Sequence, residues 1–208
     1  MILVGLSFIL ASFGSLILDE VWFFIKEVKN QPYSIAPTHD SVKDSIFARF
    51  LSTRPITIDP VNKEFSLVIE KIGVNAPIVK DVSVTNEKEY IEALKGGIAH
   101  ASKSPYPSKD IGNVYLFAHA SLDFWRLGKY ARVFNLLRKL EKNDRIHLFY
   151  KNKTYVYEVV TVEKLPGWDT YPLEMPTIEP LLTLQTCDPP GTTLNRLVVT
   201  SKLIEVNE

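Results

Sequence analysis

The sequence has a single thiol, and it lies at the predicted end of a strand, where it could act as a nucleophile. Cys187 is the only cysteine among 208 residues, and it ends the apolar alternating run LLTLQTC. The residues that follow, DPPGTT, are loop formers, so we expect the cysteine at the mouth of a strand. Cysteines in apolar runs are most often packing residues. A nucleophilic one needs a nearby base or cation, because a thiol with a pKa near ~8.5 is only about 3% thiolate at pH 7.

Arg196 is the first candidate partner for the thiol. It lies nine positions after Cys187, in the apolar run RLVV. The intervening Pro-Pro-Gly loop can turn the chain and set two antiparallel strands side by side, so that both side chains face one groove. Arginines on strands are mostly exposed and inert. A guanidinium beside a thiol, however, keeps its proton and offers a fork of donors to an oxyanion, which favours acyl transfer.

A histidine is the second candidate partner, and the chain has four. His39 lies in a polar stretch, which favours a solvated residue. His147, in RIHLFY, is flanked by apolar strand residues and is typical of a sheet histidine. His100 and His119 both stand in the tetrapeptide AHAS, so their immediate neighbours do not separate them. His119 ends the better-formed apolar strand, GNVYLFA, and is the one that we favour from the residues alone.

The elements that must position these residues are mainly strands. From residue 65 onward, apolar residues recur mainly at every second position in seven or eight bounded runs, which predicts a sandwich or a barrel. Two helices interrupt the strands: NEKEYIEALKGG, with Asn86 as its cap, and residues 129–141, which carry an apolar face. The run RIHLFYKNKTYVYEV predicts a hairpin closed by Lys151, Asn152 and Lys153.

The N-terminus predicts a membrane anchor followed by a tether. Residues 1–18 carry no charge and would span roughly 27 Å as a helix, close to the thickness of bilayer hydrocarbon. With the aromatic run VWFFI included, we predict one transmembrane helix over residues 1–25. A cleaved signal peptide is the alternative, but the basic start that it requires is missing. Residues 26–64, with four prolines, predict a spacer, and residues 65–208 predict the catalytic domain.

Composition excludes several classes of function. Lys+Arg and Asp+Glu are both 24, so no net field attracts nucleic acid. A single cysteine forms neither an internal disulfide nor a CxxC metal site, and no run of carboxylates suggests calcium. A cysteine phosphatase needs Cys and Arg about six positions apart around a loop of amide donors, whereas this loop is longer and contains two prolines. We therefore expect no metal, no cofactor and no nucleic-acid partner.

Four segments together resemble the sortases, the membrane-anchored cysteine transpeptidases of bacteria, over about residues 65–206. VIEKIGVNAPIV is similar to the strand that opens the family's domain, and ALKGGIAHASKSPYPSKDIGNVYLFAH to the run that ends in its catalytic histidine. FWRLGKYARVFNLLRKLEKNDRI resembles the segment after that histidine. The sharpest element is TLQTC followed by NRLVV. The resemblance implies a mainly β fold, an eight-stranded sortase-type β-barrel with short helices behind the N-terminal transmembrane helix.

Carried over by position, the resemblance implies roles for three side chains. Cys187 would be the nucleophile, His119 the general acid and base, and Arg196 the donor to the oxyanion or the substrate carbonyl. In the strand that ends at the cysteine, we expect Thr183 and Thr186 at the wall of the substrate groove. Strand propensity alone would also explain two threonines there.

The implied reaction cleaves a C-terminal sorting motif of an exported protein through a thioacyl-enzyme. It transfers the acyl group to an amine of peptidoglycan or to a pilin lysine, without a cofactor. The resemblance also implies a single-pass cell-membrane protein with its catalytic domain on the extracytoplasmic face. Lys26 and Lys29, which follow the apolar segment, mildly favour the opposite orientation. The alternative from another class is a membrane-tethered barrel that binds peptide or glycan without chemistry.

Overall fold

The computed structural model describes residues 14, 17–35, 56–120, 128 and 130–208. Ten strands lie in this part of the chain: β1 (Tyr33–Ile35), β2 (Ile56–Ile58), β3 (Phe65–Ile69), β4 (Val74–Val82), β5 (Ile98–Ala101), β6 (Gly112–Phe117), β7 (Arg145–Tyr150), β8 (Lys153–Pro166), β9 (Pro180–Asp188) and β10 (Asn195–Asn207). The last eight close into a barrel in the order β10-β8-β7-β3-β4-β5-β6-β9. The prediction of a mainly β protein with an eight-stranded barrel is confirmed.

Strand direction gathers three strand ends at one end of the barrel. β6 and β9 are parallel neighbours, and β10 runs antiparallel along β9. β5 is antiparallel to β6 and parallel to β4, so β4 begins at the barrel end where β6 and β9 finish. The carboxyl ends of β6 and β9 therefore meet the start of β10, and side chains at these three positions share one surface.

The barrel interior is filled by large aliphatic side chains from several strands. Leu116 of β6, Leu148 of β7, and Leu182 and Leu184 of β9 are fully buried. Burial of each leucine stabilises the fold by roughly 2 kcal/mol. The alternation of these residues along β9 leaves its intervening positions on the outer surface, which is where a groove can form.

A small parallel sheet covers part of the outside of the barrel. β1 pairs with β2, and Ile58 of this sheet packs with Val68 of β3 and Phe149 of β7. Tyr33 borders the same cluster. Parts of the segment predicted as a spacer thus lie on the barrel surface, whereas residues 36–55 lie outside the described part of the chain.

The first predicted helix is confirmed, and it is short. Helix α1 (Glu87–Gly96) begins after Asn86, whose side chain accepts a hydrogen bond from the Glu89 N–H at 3.3 Å. A second short helix, α2 (Tyr171–Glu174), lies in the connection between β8 and β9. Residues of both helices line the cavity described below, so both helices contribute to the walls of the site.

The second predicted helix, over residues 129–141, is wrong as an α-helix. Residues 130–136 form successive turns, and Leu137–Lys139 form a 3₁₀ turn. N–H groups bond to carbonyls three residues back, as from Val133 to Tyr130 at 3.1 Å. The apolar residues fully buried in this segment are Ala131, Phe134, Leu137 and Leu140. Their spacing of three matches the 3₁₀ period of about 3.0 residues per turn better than the α-helical 3.6.

The predicted hairpin between β7 and β8 is confirmed, with a two-residue turn. Lys151 and Asn152 have φ angles of 49° and 62°, and Tyr150 pairs with Lys153. Positive φ at both turn residues is the type I′ geometry that matches the twist of the flanking strands. Lys153 is therefore the first residue of β8 and not part of the turn.

The N-terminal segment is helical over residues 17–28 and packs against the barrel. Among the residues that the structure describes, no helix is long and apolar enough to cross a membrane. Most of the predicted transmembrane segment, residues 1–13 and 15–16, lies outside them. The transmembrane helix over residues 1–25 therefore stays a prediction.

Candidate active site

Cys187 and Arg196 face each other across neighbouring strands. Cys187 lies one residue before the end of β9, and Arg196 is the second residue of β10. The antiparallel register pairs their Cα atoms, and Arg196 Nη1 lies 3.5 Å from Cys187 Sγ. Paired residues of antiparallel strands project to the same face of the sheet, so the register itself brings the guanidinium to the thiol.

His119 is held beside this pair by the neighbouring strand, β6. The Ala118 N–H donates to the Gln185 carbonyl at 3.1 Å, and the Gly191 N–H donates to the Ala120 carbonyl at 2.7 Å. These bonds fix both flanks of His119 against β9 and the β9–β10 loop. The imidazole Nε2 is buried and makes no hydrogen bond within the described residues, so no protein group there competes for it.

The three side chains line one cavity of about 630 Å³, a size typical of ligand sites. Its other lining residues come from the β4–α1 loop, α1, β6, the β8–β9 connection with α2, β9 and the β9–β10 loop, and include Tyr90, Tyr115, Trp168, Gln185 and Thr193. Within the described part of the chain, no group of three or more His, Cys, Asp or Glu side chains is placed to hold a metal ion. The chemistry available in the cavity is that of a thiol, an imidazole and a guanidinium.

The other histidines lie elsewhere. His100, in β5, is fully buried, with its Nε2 2.9 Å from the Ser104 hydroxyl, and it does not line the cavity. His147 lies in β7, 3.9 Å from the Glu70 carboxylate, as predicted for a sheet histidine. His39 lies outside the described residues. Of the two AHAS histidines, the structure thus places at the cavity His119, the one that the preceding strand favoured and that the tetrapeptide alone did not distinguish.

Burial favours the neutral forms of both reactive groups. It raises the pKa of the Cys187 thiol above its ordinary value, and the Arg196 charge offsets part of that rise. Burial also lowers the pKa of His119. Near neutral pH the thiol and the neutral imidazole therefore predominate, and the thiolate–imidazolium pair is the minor form. Desolvation raises the pKa of the neighbouring Tyr90 to about 12, so its phenol remains a hydrogen-bond donor.

Thr183 and Thr186 make their hydrogen bonds to β6 and to the residue that follows it. The Thr183 hydroxyl donates to the Asn113 side-chain oxygen at 2.8 Å, and the Thr186 hydroxyl donates to the Ala118 carbonyl at 2.8 Å. Both threonines are buried, and neither lines the cavity. The bond from Thr186 reaches the residue before His119, so it positions the histidine. Direct contact of either threonine with substrate stays a prediction.

Sequence reasoning missed several residues that line the cavity. Gln185 precedes Cys187 by two positions, and Tyr115 precedes His119 by four, so strand alternation places them on the reactive face. The Tyr115 hydroxyl donates a hydrogen bond to the Gln185 side-chain oxygen. Alternation could have identified both residues. Trp168 lies in the β8–β9 loop, 82% exposed, and no sequence pattern indicated it.

Comparison with known proteins identifies this arrangement. The sortase domain family model matches residues 67–204. Sortase E1 from Streptomyces coelicolor, with a tripeptide in the active site, aligns with a TM-score of 0.56 at 21% identity, over 71% of this chain and 93% of that one. Sortase A from Listeria monocytogenes aligns with a TM-score of 0.53 at 24% identity, over 69% and 88%. Sortase C from Clostridium perfringens, with a C-terminal cell wall sorting motif, aligns with a TM-score of 0.54 at 21% identity, over 67% and 69%.

Comparison with curated proteins gives no match. The three structural likenesses, all below 25% identity, show a common fold. The family model goes further, because it covers more than half of the 208 residues and its span contains Cys187, His119 and Arg196. This chain belongs to the sortase family of cysteine transpeptidases.

Proposed function

We propose that this sortase cleaves a C-terminal sorting motif of an exported protein and transfers the acyl part to an amine. The observation that carries the proposal is the convergence of Cys187, His119 and Arg196 on one cavity, with the guanidinium 3.5 Å from the thiol. Acyl transfer needs a nucleophile, a proton carrier and a donor to the oxyanion, and the cavity supplies one of each.

In the first half-reaction, Cys187 Sγ attacks the carbonyl carbon of the scissile peptide bond. The thiol proton passes to His119, and Arg196 donates to the carbonyl oxygen as negative charge develops on it. His119 then gives the proton to the departing amine as the C–N bond breaks. The product is a thioester on Cys187, and the C-terminal part of the substrate leaves with a free amino group.

In the second half-reaction, an incoming amine attacks the thioester carbonyl. The amine loses a proton to His119, the C–S bond breaks, and the thiolate of Cys187 recovers a proton. The acceptor that we propose is an amine of peptidoglycan or a pilin lysine. Attack by water would give hydrolysis as a slower side reaction.

Arg196 has a second task in this scheme. Burial disfavours the thiolate–imidazolium pair, because it raises the pKa of the Cys187 thiol and lowers the pKa of His119. Arg196 is the charge that opposes the effect of burial on the thiol pKa. The guanidinium thus favours the reactive thiolate before it meets the substrate oxygen.

We further propose that residues 1–25 anchor the protein in the cell membrane as a single pass. The catalytic domain then lies on the extracytoplasmic face, where exported proteins and wall amines meet. The support is the uncharged apolar run of residues 1–18. A structurally similar sortase C carries a C-terminal cell wall sorting motif, which supports the proposed class of substrate.

The test is to trap the acyl-enzyme. The purified chain is incubated with a library of candidate sorting peptides, and intact-mass and peptide-level mass spectrometry locate the adduct. We expect an acyl group on Cys187, and none on a Cys187→Ala variant with an unchanged circular dichroism spectrum. Equal transfer by Cys187→Ala would refute the mechanism.

A matched pair of variants tests the proton carrier. His119→Gln should abolish transfer, whereas His100→Gln, measured per mole of folded protein, should retain it. His100 lies away from the cavity, and its bonds are to the protein itself. The opposite result would exchange the roles of the two AHAS histidines.

A further inference from the structure

The helix over residues 17–28 presents two faces of different chemistry, and the first is bonded to the barrel. Asp19 lies 3.4 Å from the Arg132 guanidinium, and Glu20 lies 3.0 Å from Lys139 Nζ. Glu20 also pairs with Arg138. The two acidic residues are thus satisfied by a basic segment of the barrel, and the three partners belong to the segment between β6 and β7.

One turn further along, an aromatic ring and a lysine complete this face. Phe23 is buried within the hydrophobic core cluster of the barrel. Lys26 is only 7% exposed, and its Nζ donates to the Lys71 carbonyl at 2.5 Å. The same ammonium lies 4.8 Å from the centre of the Tyr33 ring. This face of the helix therefore belongs to the folded domain.

The opposite face is apolar and exposed. At ~100° per residue, positions 17, 21, 24 and 28 fall within one narrow stripe. Phe24 is 67% exposed and Val28 is 69% exposed, and Ile17 and Val21 are each nearly half exposed. Leu18, also 67% exposed, widens the stripe. Contiguous apolar patches of this kind on soluble surfaces mark a contact with another apolar body.

The sequence before the helix indicates what the exposed apolar stripe contacts. The residues that precede this helix, MILVGLSFILASFGSL, contain no charged side chain, and in the sequence they lead directly into the exposed stripe. A chain whose preceding residues suit bilayer hydrocarbon brings the stripe to the membrane surface. Amphipathic helices at such boundaries place the apolar face among lipid chains and the polar face away from them. Here the polar face is occupied by the barrel.

Strand direction places one contact of the helix, the bond to Lys71, at the barrel end where β6 and β9 finish. Lys71 follows β3 and precedes β4, and β4 begins at the end where β6 and β9 finish. The basic segment that binds Asp19 and Glu20 follows the His119 strand in the chain. A membrane contact through this helix would therefore turn the barrel end where β6 and β9 finish toward the lipid surface.

We propose that residues 17–28 are a two-faced membrane adaptor, with Ile17, Val21, Phe24 and Val28 seated in the lipid surface while the opposite face holds the barrel. The proposal concerns position and not chemistry, so it goes beyond the proposed function. It builds on the proposed anchor but limits the membrane-spanning part to the residues before 17, because one face of residues 17–28 is bonded to the barrel. The catalytic domain then lies against the bilayer instead of on a free tether.

The experiment uses the full chain in vesicles of phosphatidylcholine and phosphatidylglycerol. Cys187→Ser removes the only cysteine, so a single environment-sensitive fluorophore can be attached at Phe24→Cys, Val28→Cys or Glu27→Cys. Glu27 is the matched control, an exposed acidic residue on the same turns. We expect blue-shifted emission at positions 24 and 28, quenched by doxyl-labelled lipid, and red-shifted emission at position 27, quenched by aqueous iodide.

The outcomes separate the adaptor from the anchor and from catalysis. If the chain floats with vesicles but iodide quenches all three labels equally, the adaptor is refuted and the anchor stands. If the chain does not float, both are refuted. Energy transfer between labelled copies at position 24, lost on dilution with unlabelled chain, would show that the stripe binds a second copy instead of lipid. None of these readouts depends on the transpeptidase reaction.

A second pair of variants tests the barrel face. Glu20→Lys sets a positive charge beside Arg138 and Lys139, and Glu27→Lys is its control on the same helix. Hydrogen exchange in vesicles should accelerate at residues 17–28 and 130–140 for Glu20→Lys, with flotation retained, and should be unchanged for Glu27→Lys. Unchanged exchange in Glu20→Lys would refute the bonded face.

Discussion

Replacement of Arg196 tests the two tasks that the structure assigns to it. Arg196→Met keeps an extended stem in the same strand position but removes both the charge and the donors next to Cys187. Loss of a donor to a developing oxyanion costs about 2.7–4 kcal/mol, or about 10²–10³ in rate. The thiol pKa should rise as well, because burial raises it and Arg196 opposes that effect. We therefore expect kcat/KM for transfer to fall by about 10²–10³.

Arg196→Lys separates the charge from the planar fork. An ammonium restores a positive charge near the thiol, so the pKa of Cys187 should return toward its value in the unmodified protein. A lysine cannot supply paired, coplanar donors to the carbonyl oxygen, so kcat/KM should stay well below normal. Arg196→Lys should thus restore most of the thiol pKa that Arg196→Met shifts, while kcat/KM stays low in both variants.

Two assays are needed for this prediction. The rate of alkylation by iodoacetamide against pH reports the thiol pKa without substrate, and transfer between a trapped sorting peptide and an amine reports kcat/KM. Arg145→Met, at an exposed position on β7 away from the cavity, is the control. Transfer by Arg196→Met within a few-fold of normal, together with an unshifted thiol pKa, would refute both tasks.

Three further predictions follow from the same site. A plot of transfer rate against pH should be bell-shaped. Its acidic limb should lie below pH 6.5 because burial lowers the pKa of His119, and its alkaline limb above pH 9.0 because burial raises the pKa of Cys187. An acidic limb above pH 6.5 would contradict the assignment of that limb to His119. Thr186→Val removes the hydrogen bond to the Ala118 carbonyl and leaves that carbonyl without this donor. The free energy of unfolding in urea should therefore fall by about 1–3 kcal/mol. An unchanged urea midpoint would argue against the bond. Gly167→Ala places a Cβ 2.1 Å from the Thr193 carbonyl oxygen in the β9–β10 loop, so both Tm and kcat/KM should fall. Gly96→Ala is the control: its Cβ meets only a Val79 side-chain atom, at 3.4 Å, so kcat/KM should not change.

The alternation of apolar and polar residues along the strands was enough to predict where Cys187 and Arg196 lie. The run LLTLQTC and the residues DPPGTT placed Cys187 at a strand end, and β9 ends one residue after it. The loop to Arg196 was short enough to predict neighbouring strands, and β9 and β10 pair in that register. These features depend on local backbone geometry, so they can be inferred from nearby residues alone.

The segment after His119 shows where such inference fails. Residues 129–141 have apolar residues that fit an α-helical face, yet residues 130–136 fold as turns and Leu137–Lys139 as a 3₁₀ segment. The apolar residues of this segment fit both the α-helical and the 3₁₀ period. The 3₁₀ conformation is the one that buries Ala131, Phe134, Leu137 and Leu140. Tertiary packing decides between local conformations whose intrinsic free energies are close.

The amino-acid sequence by itself indicated strands around one thiol, one guanidinium and two candidate histidines, of which it favoured His119, because spacing and alternation act over a few residues. Only the tertiary structure decided which of the two histidines lies at the cavity. Parallel pairing of β6 with β9 brings His119 to the cavity, and the placement of β5 buries His100 beside Ser104. The tertiary structure also showed that Asp19 and Glu20 bind the barrel, because ion pairs between residues more than a hundred positions apart depend on how the whole chain folds.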